Sequence, residues 1–320
     1  MRADVSVIIP YHNESETLEI TLTLLAKQTL QPKEVIFVDS SSTDDSFNVI
    51  ERWIAENDSK HNISFINLQK GTKLPSSSMN IGIKHAGSDL LAFMDCDLIF
   101  DVDWLQKQVE FLNKSNYEIV SGMCYFEGVS LIDRLSTAQT YGYKKFVVAV
   151  PSSVLKASVF EKTGLFLEER RAAYDIDWVN KLKKANIIRG INRDVVVSYN
   201  GINYSVSLKN TFLKNLTYTA SSIGVYKYYT PYYYMLAMLL FAVGAITSPH
   251  IILFSPVLYC LLRGYCIPLL KSDMVSLVKK HPISLFLLPV VGFIIDSGKF
   301  IGYAKGFFRY FSVKLHSDKG

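Results

Sequence analysis

The first hundred residues alternate between two hydrophobic periods, and that alternation restricts the fold more than anything else in the chain. Val5-Ser6-Val7-Ile8-Ile9 is a short apolar run closed by Pro10. Val35-Ile36-Phe37-Val38 stops at Asp39, Ile63 to Leu68 forms a third run, and Leu90-Leu91-Ala92-Phe93-Met94 stops at Asp95. Apolar runs of this length read as strands buried on both faces. Between them lie helical patterns: a stripe at Leu18, Leu22 and Leu25, and a short segment from Ser76 to His85. Asn13 with Glu16 has the spacing of a capping box. Thr43, followed by Asp44 and Asp45, suits the start of another helix. The order β-α-β-α-β-α-β predicts an α/β fold, a doubly wound, mainly parallel sheet with helices on both faces.

Open sheets of this kind bind ligands beyond the carboxyl ends of their strands. Polar groups stand at those ends: His12, Asn13 and Glu14 after the first strand, Asp39 after the second, Asp95 and Asp97 after the fourth. Asp95-Cys96-Asp97 places two carboxylates around one residue. Hard oxygen ligands so spaced can share a divalent cation, and that cation can bridge the phosphates of a nucleotide. The same acids, followed by Asp101 and Asp103, equally suit a helix start or a solvated loop. Asp39 reads either as a turn residue or as an acceptor for a base or a ribose hydroxyl. Asp175 reads either as the cap of the helix carrying Trp178 or as a general base for an acceptor hydroxyl.

Composition changes along the chain. Residues 1–228 read as a conventional globular domain, whereas charge nearly vanishes over long stretches from Pro231 onward. Runs at 232–247 and 251–270 approach spanning length and are separated by Thr247-Ser248-Pro249-His250. They read as a C-terminal helical hairpin in a membrane, within a membrane-associated region of 229–320. The run beginning at Ile283 is shorter and leads into Lys299, Lys305 and Arg309 mixed with aromatics, so 283–311 reads as an interfacial helix. The basic loop at 271–281 and the basic C-terminus favour a cytosolic placement of both, by the positive-inside rule. A net charge of +5 with no basic, aromatic-laced stripe argues against nucleic acid. Four cysteines without paired metal spacing, and an N-terminus that enters a strand directly, suit a reduced, cytosol-facing domain without a signal peptide.

Five segments in order resemble the family 2 glycosyltransferases of the GT-A fold. They are Val5-Ser6-Val7-Ile8-Ile9-Pro10-Tyr11-His12-Asn13-Glu14, Val38-Asp39-Ser40-Ser41-Ser42-Thr43-Asp44, Met79-Asn80-Ile81-Gly82, Phe93-Met94-Asp95-Cys96-Asp97 and Tyr174-Asp175-Ile176-Asp177. The resemblance covers residues 4–210. It implies that Pro10, Tyr11, Glu14 and Asp39 line a nucleotide pocket and that Asn80 and Asp95 sit near ribose and phosphates. Asp97, with Asp95, would bind Mg²⁺ or Mn²⁺, and Asp175 would deprotonate the acceptor. It implies inverting transfer of a sugar from a nucleotide-sugar, most commonly a UDP-sugar. The apolar C-terminal hairpin, rather than the resemblance, suggests a glycan or polyprenyl-lipid-linked acceptor in cell-surface polysaccharide or glycolipid synthesis, at the cytoplasmic face of the inner membrane.

The chain departs from the family pattern at several positions. Ser40 and Ser41 stand where Asp and Gly are usual, and loss of that glycine predicts an altered turn. Met79 replaces an Arg and Tyr174 a Glu. No His occurs in Val197-Ser198-Tyr199-Asn200, where many members carry a metal ligand; Asn200 offers an oxygen instead. The Gln-x-x-Arg-Trp signature of processive synthases is absent, which favours transfer of one sugar. These departures also suit a catalytically inactive nucleotide-sugar-binding or scaffold relative. A nucleotidyltransferase or a dehydrogenase would need a Gly-rich turn after the first strand, which this chain lacks. A glycoside hydrolase would use paired carboxylates without the nucleotide-pocket segments.

Overall fold

The computed structural model describes residues 2–317 apart from 58–59, 70–71, 149, 169, 200–206, 226–228 and 249. In chain order the elements are β1 (Arg2–Tyr11), α1 (Leu18–Ala26), β2 (Gln31–Asp39), α2 (Ser46–Asn57), β3 (Ser64–Leu68), α3 (Pro75–His85), β4 (Leu90–Phe93), β5 (Leu98–Phe100), α4 (Trp104–Asn113) and β6 (Ile119–Phe126). They continue with α5 (Leu131–Gln139), β7 (Phe146–Val148), β8 (Ser153–Lys156), α6 (Ser158–Thr163), α7 (Tyr174–Lys184), β9 (Arg189–Tyr199) and α8 (Leu208–Ser221). The last are α9 (Thr230–Thr247), α10 (His250–Tyr259), a π-helical stretch (Cys260–Cys266), α11 (Ile267–Lys271), α12 (Met274–Lys280) and α13 (Ser284–Ser317). They group into two compact units, one made of residues 1–125, 146–170 and 174–200, the other of 126–145, 171–173 and 201–320.

The first unit is the α/β body. Its sheet runs β3-β2-β1-β4-β8-β6-β9-β5, with β7 paired to β6. The expected parallel sheet is its β3-β2-β1-β4 half. Beyond β4 the added strands run antiparallel to their neighbours: β8 on β4, β6 on β8, and β9 on β5. Val7, Ile8, Ile9, Val35, Ile36 and Phe37 are fully buried, as strands covered on both faces require. One core cluster joins Ile8, Met79, Phe93, Phe160, Phe166 and Trp178. Gly82 of α3 faces the Ile8 side chain so closely that a Cβ there would collide with Ile8 Cγ2.

Two local expectations are corrected. Asn13 does not cap α1, which begins at Leu18 behind Thr17. Asn13 instead takes a left-handed conformation, φ 58°, and its Oδ1 accepts the Thr43 N–H at 2.7 Å. Thr43 is thereby engaged in a loop-to-loop bond, and Asp44 Oδ1 accepts the Ser46 N–H at the start of α2, at 3.1 Å. A short polar side chain bonds a neighbouring loop as readily as its own helix when that loop is held alongside.

The second unit is helical. α13 packs along α8, where Gly298, Gly302 and Gly306 face Phe212, Leu216, Thr219 and Ala220 at backbone-contact distance, as small residues spaced by four allow. A second cluster buries Leu135 and Ala138 of α5, with Tyr143, against Leu277, Leu288 and Ile295. α9 covers the apolar run expected at 232–247. The run at 251–270 is α10, the π-helical stretch and α11. The run that begins at Ile283 does not end where its strongest hydropathy ends. It continues as the 34-residue α13, of which Ser284–Ser312 is long and apolar enough to cross a membrane by length and composition.

Candidate active site

Every residue that the strand-end pattern singles out lies in the α/β unit. Tyr11 and Asp39 are register partners at the ends of β1 and β2, so the two strand tips finish level. Both side chains are buried, at 3% exposure. Tyr11 Oη donates to Asn67 Oδ1 at 2.9 Å, and Tyr11 meets Phe37 edge-on. Burial, then the Asp39 charge, pushes its phenol well above the ordinary range, so it stays a neutral hydrogen-bonding group. Asp39 Oδ1 accepts the Ser42 N–H at 2.9 Å. Pro10, opposite Val38, completes this floor.

The Ser-rich turn after β2 keeps the geometry that a glycine would supply. Ser41 has φ 62°, the left-handed region. A residue with a Cβ thus bears the strain of that conformation. Ser40 Oγ and Ser78 Oγ, 2.7 Å apart, tie this turn to α3.

The acids gather at the ends of β1 and β4. Asp95 follows β4, whose end is fixed when Met94 N–H donates to Ile8 O at 3.2 Å. Thr21 Oγ1 donates to the Cys96 carbonyl oxygen, which holds the turn between the two acids. Desolvation raises the Asp95 carboxyl, and the hydrogen bond that Tyr199 Oη donates to Asp95 Oδ2 opposes this. Burial also raises Glu14, followed by a lowering bond from Thr17 and raising charges on Asp95 and Asp44. The buried Cys96 thiol is raised by burial and then by Glu14, Asp97 and Asp95. The Tyr199 phenol is raised by burial and then by Asp95 and Asp97. Glu14, Asp95, Asp97 and Tyr199 therefore share one acidic pocket, in which the carboxylate charges make Glu14, Cys96 and Tyr199 harder to ionise. The buried His12 Nδ1, on the β1 loop, has no hydrogen-bond partner among the described residues. Such an orphaned atom at a strand tip is what a polar ligand would satisfy.

Two residues sit differently from a simple reading of the sequence. Asn80 is 1% exposed and its amide is consumed. Nδ2 donates to Phe166 O at 2.9 Å and to Glu168 Oε1 at 3.0 Å, while Oδ1 accepts the Phe166 N–H at 3.0 Å. Its side chain pins the segment that leads into α7. Asp175 is the second residue of α7 and stands exposed at its N-terminal end, inside the first turn rather than capping it. Trp178, packed on Phe160 and Phe166, anchors that helix in the core. Desolvation raises the Asp175 carboxyl, against backbone N–H groups of Ile176 and Asp175 that lower it. Asp177 turns to Lys181 at 2.9 Å. Tyr199 is the functional candidate that sequence reading missed; its signal was its place in the stretch searched for a histidine. Asn200 lies outside the described residues.

The sequence profile described as Glycosyl transferase family 2 matches residues 6–158, the stretch holding the Tyr11–Asp39 strand tips and the acidic strand-end groups. An uncharacterized glycosyltransferase of Haemophilus influenzae is 26% identical over 192 residues, covering 57% of this chain and 74% of that protein. Glycosyltransferase AglE of Haloferax volcanii is 25% identical over 219 residues, covering 65% and 70%. Among solved structures, the mannosyltransferase PcManGT of Pyrobaculum calidifontis, in complex with GDP-Man and Mn²⁺, superposes with a TM-score of 0.55. It is 18% identical, over 94% of this chain and 88% of that one, a likeness of fold. With the strand-tip groups arranged as described and the profile seated on the same strands, residues 6–158 form a glycosyl transferase family 2 domain and the chain is a glycosyltransferase.

Proposed function

We propose that this glycosyltransferase moves a single sugar, with inversion, from a nucleotide-sugar to an acceptor hydroxyl, and that it uses a divalent cation. The observation that carries the reading is the joint placement of Asp95, Asp97 and Glu14 at the tips of β1 and β4, beside the level Tyr11–Asp39 floor. Among the described residues no three His, Cys, Asp or Glu side chains form a metal-ligand cluster. Two carboxylates suit Mg²⁺ or Mn²⁺ nonetheless, since these ions complete their shells with phosphate oxygens and water. When bound, such an ion supplies positive charge against a diphosphate leaving group. The solved neighbour of the same fold was crystallised with GDP-Man and Mn²⁺, which agrees with a nucleoside diphosphate donor.

The chain's own residues have distinct tasks in this reading. Tyr11, Asp39 and Pro10 receive the nucleoside, and a UDP-sugar remains the first donor to test. Asp95 and Asp97 hold the metal. Asp175 takes the proton of the acceptor hydroxyl as that oxygen bonds to the sugar C1. The C1–O bond to the diphosphate breaks on the opposite face, and its electron pair leaves with the nucleotide. A carboxyl raised by desolvation is a stronger base than an ordinary one, which suits that step. Asn80 acts by fixing the segment before α7. The apolar α13 supports a reading in which the enzyme works at a membrane, on a glycan or lipid-linked acceptor, with the α/β unit on the cytosolic side.

The test is a thermal shift of the full chain in detergent, with UDP- and GDP-sugars, with and without Mn²⁺. A donor at roughly 100 times its dissociation constant stabilises by about 2.7 kcal/mol. The expected outcome is a metal-dependent shift with one donor, lost in Asp97→Ala. A shift indifferent to metal, or none with any donor in folded protein, overturns the reading.

A further inference from the structure

The helical unit holds more positive charge than its own acids neutralise. Arg263 is 6% exposed and lies in the π-helical stretch Cys260–Cys266. Its Nε donates to Asp296 Oδ2 at 2.7 Å, and its Nη1 donates to the Gln139 side-chain oxygen and, at 3.4 Å, to the Gln139 carbonyl. Tyr259 Oη donates to the same Asp296 oxygen at 2.9 Å, and Gln139 Nε2 is held by Leu288 O at 3.0 Å. Against this well-bonded frame, Arg263 Nη2 is buried and bonds nothing among the described residues. A buried charged donor without a partner is costly, and π-helical turns tend to occur at functional sites.

A second cation stands nearby. Lys299 lies one turn beyond Asp296 on α13, close enough to feel the charges of Arg263, Asp296 and Lys271. Two cations, with Lys271 at the margin, thus face the single carboxylate of Asp296. Gly292 lets α13 pack closely on this frame: a Cβ there would meet Arg263 Cγ at 3.1 Å and Gln139 Nε2 at 3.3 Å. Excess charge among apolar helices calls for an anion. A forked guanidinium beside an ammonium fits a phosphate better than a chloride or a single carboxylate.

We infer that Arg263 and Lys299 form a binding site for the phosphate of a membrane lipid. The surroundings favour a lipid over free phosphate. Leu261, Leu262, Leu269 and Leu270 are exposed around the π-helical stretch. In the same unit an apolar cleft of about 340 Å³, lined by Tyr265, Leu269, Met274, Val275 and Leu285, gives an alkyl chain room. The inference rests on the reading that this unit lies in a bilayer, but not on the donor chemistry of the α/β unit.

The experiment is a binding titration of the detergent-solubilised full chain, read by native mass spectrometry. The probes are phosphatidic acid, phosphatidylcholine and inorganic phosphate. Phosphatidic acid should saturate one site and bind at least about tenfold more tightly than phosphatidylcholine. Lys299→Gln should weaken it about tenfold, with the Arg263–Asp296 pair left in place. The double variant Arg263→Gln/Asp296→Asn, which removes both ends of the pair, should weaken it further. Asp97→Ala should bind phosphatidic acid normally, so failure of the donor reading and failure of this one give different patterns. Equal binding of the two lipids, or unchanged binding in folded Lys299→Gln, overturns the proposal. Displacement by equimolar inorganic phosphate would make it a free-anion site and overturn the lipid assignment.

Discussion

Tyr199, the last residue of β9, donates its phenolic hydrogen to the carboxylate of Asp95, just beyond the end of β4. The bond crosses from the antiparallel part of the sheet to the parallel part and orients one of the two acids proposed to hold metal. Loss of a partner that orients a metal ligand typically costs 10–100-fold in metal affinity or activity. Tyr199→Phe is therefore expected to fold normally and to need about tenfold more Mn²⁺ for half-maximal activity. A metal titration of the initial rate reads this, and an unchanged titration removes the positioning role.

Asp175→Asn keeps the size of the side chain and removes its basicity. Donor binding by thermal shift should be unchanged, while kcat falls roughly 10²–10⁴-fold. Because desolvation raises this carboxyl, the acid limb of the kcat profile should lie above the ordinary aspartate range, with the rate rising as pH rises through it. The limb should vanish in whatever activity Asp175→Asn retains.

Stability should respond to pH through the acidic pocket and Asp175. Desolvation raises the carboxyls of Glu14, Asp95 and, at the surface, Asp175 in the folded chain. The folded state then binds protons more tightly than the unfolded state. Their stabilisation is complete below the ordinary carboxylate range and is lost as pH rises through the folded values. Binding of the proposed metal would offset that loss, since it needs the ionised acids. Mn²⁺ should thus stabilise the protein more at about pH 7.5 than at about pH 5 in chemical denaturation, and equal stabilisation at both would count against the site.

Ser41→Gly tests the strained turn. A residue with a Cβ pays about 1–2 kcal/mol in the left-handed region. The extra freedom of glycine in the unfolded chain returns about 0.5–1 kcal/mol. The substitution should stabilise the protein by about 0.5–1 kcal/mol in urea denaturation. A loss of stability would mean that the Ser41 side chain contributes more than its backbone costs.

Gly82→Ala tests how closely α3 sits on the sheet. The new Cβ would collide with the branched, fully buried Ile8. Overpacking of this kind costs about 1–3 kcal/mol, against which helix propensity returns ~1. The variant should unfold at lower denaturant, whereas an unchanged midpoint would show that the helix can shift outward.

The parallel half of the fold was legible because β1, β2, β3 and β4 each carry a short, mostly apolar run, broken only by Ser6, Ser64 and Asn67. The antiparallel half was not. Residues such as Ile191, Val195 and Val197 of β9 are split between exposed and buried positions, so the strand has no continuous apolar signal. Tyr199 could not be found by its residue type, because only the pairing of β9 with β5 carries it to Asp95. Asn80 was visible as a polar residue on a short helix, but its bonds to Phe166 and Glu168 span more than eighty positions of sequence. The Asn13 capping box failed for the same reason: a distant loop competed for a local hydrogen bond. In the helical unit, hydropathy marked the apolar runs and the helix at 283–311, but read the run from Ile283 as too short to span, whereas Ser284–Ser312 has the length and composition to cross a membrane.

The burial of α5 against the end of the chain has a consequence for how this protein is made. Leu135, Ala138 and Tyr143 are covered by residues from Leu277 to Ile295, which leave the ribosome about 140 residues later. At ordinary translation rates that is a delay on the order of ten seconds, during which a greasy segment from the middle of the chain has no partner. A gene cut near codon 228 would make the wait permanent, and its product should be recovered as aggregate or be degraded. The packing of α5 is therefore completed only once α12 and α13 have been made, so the middle of the chain waits on segments synthesised long after it.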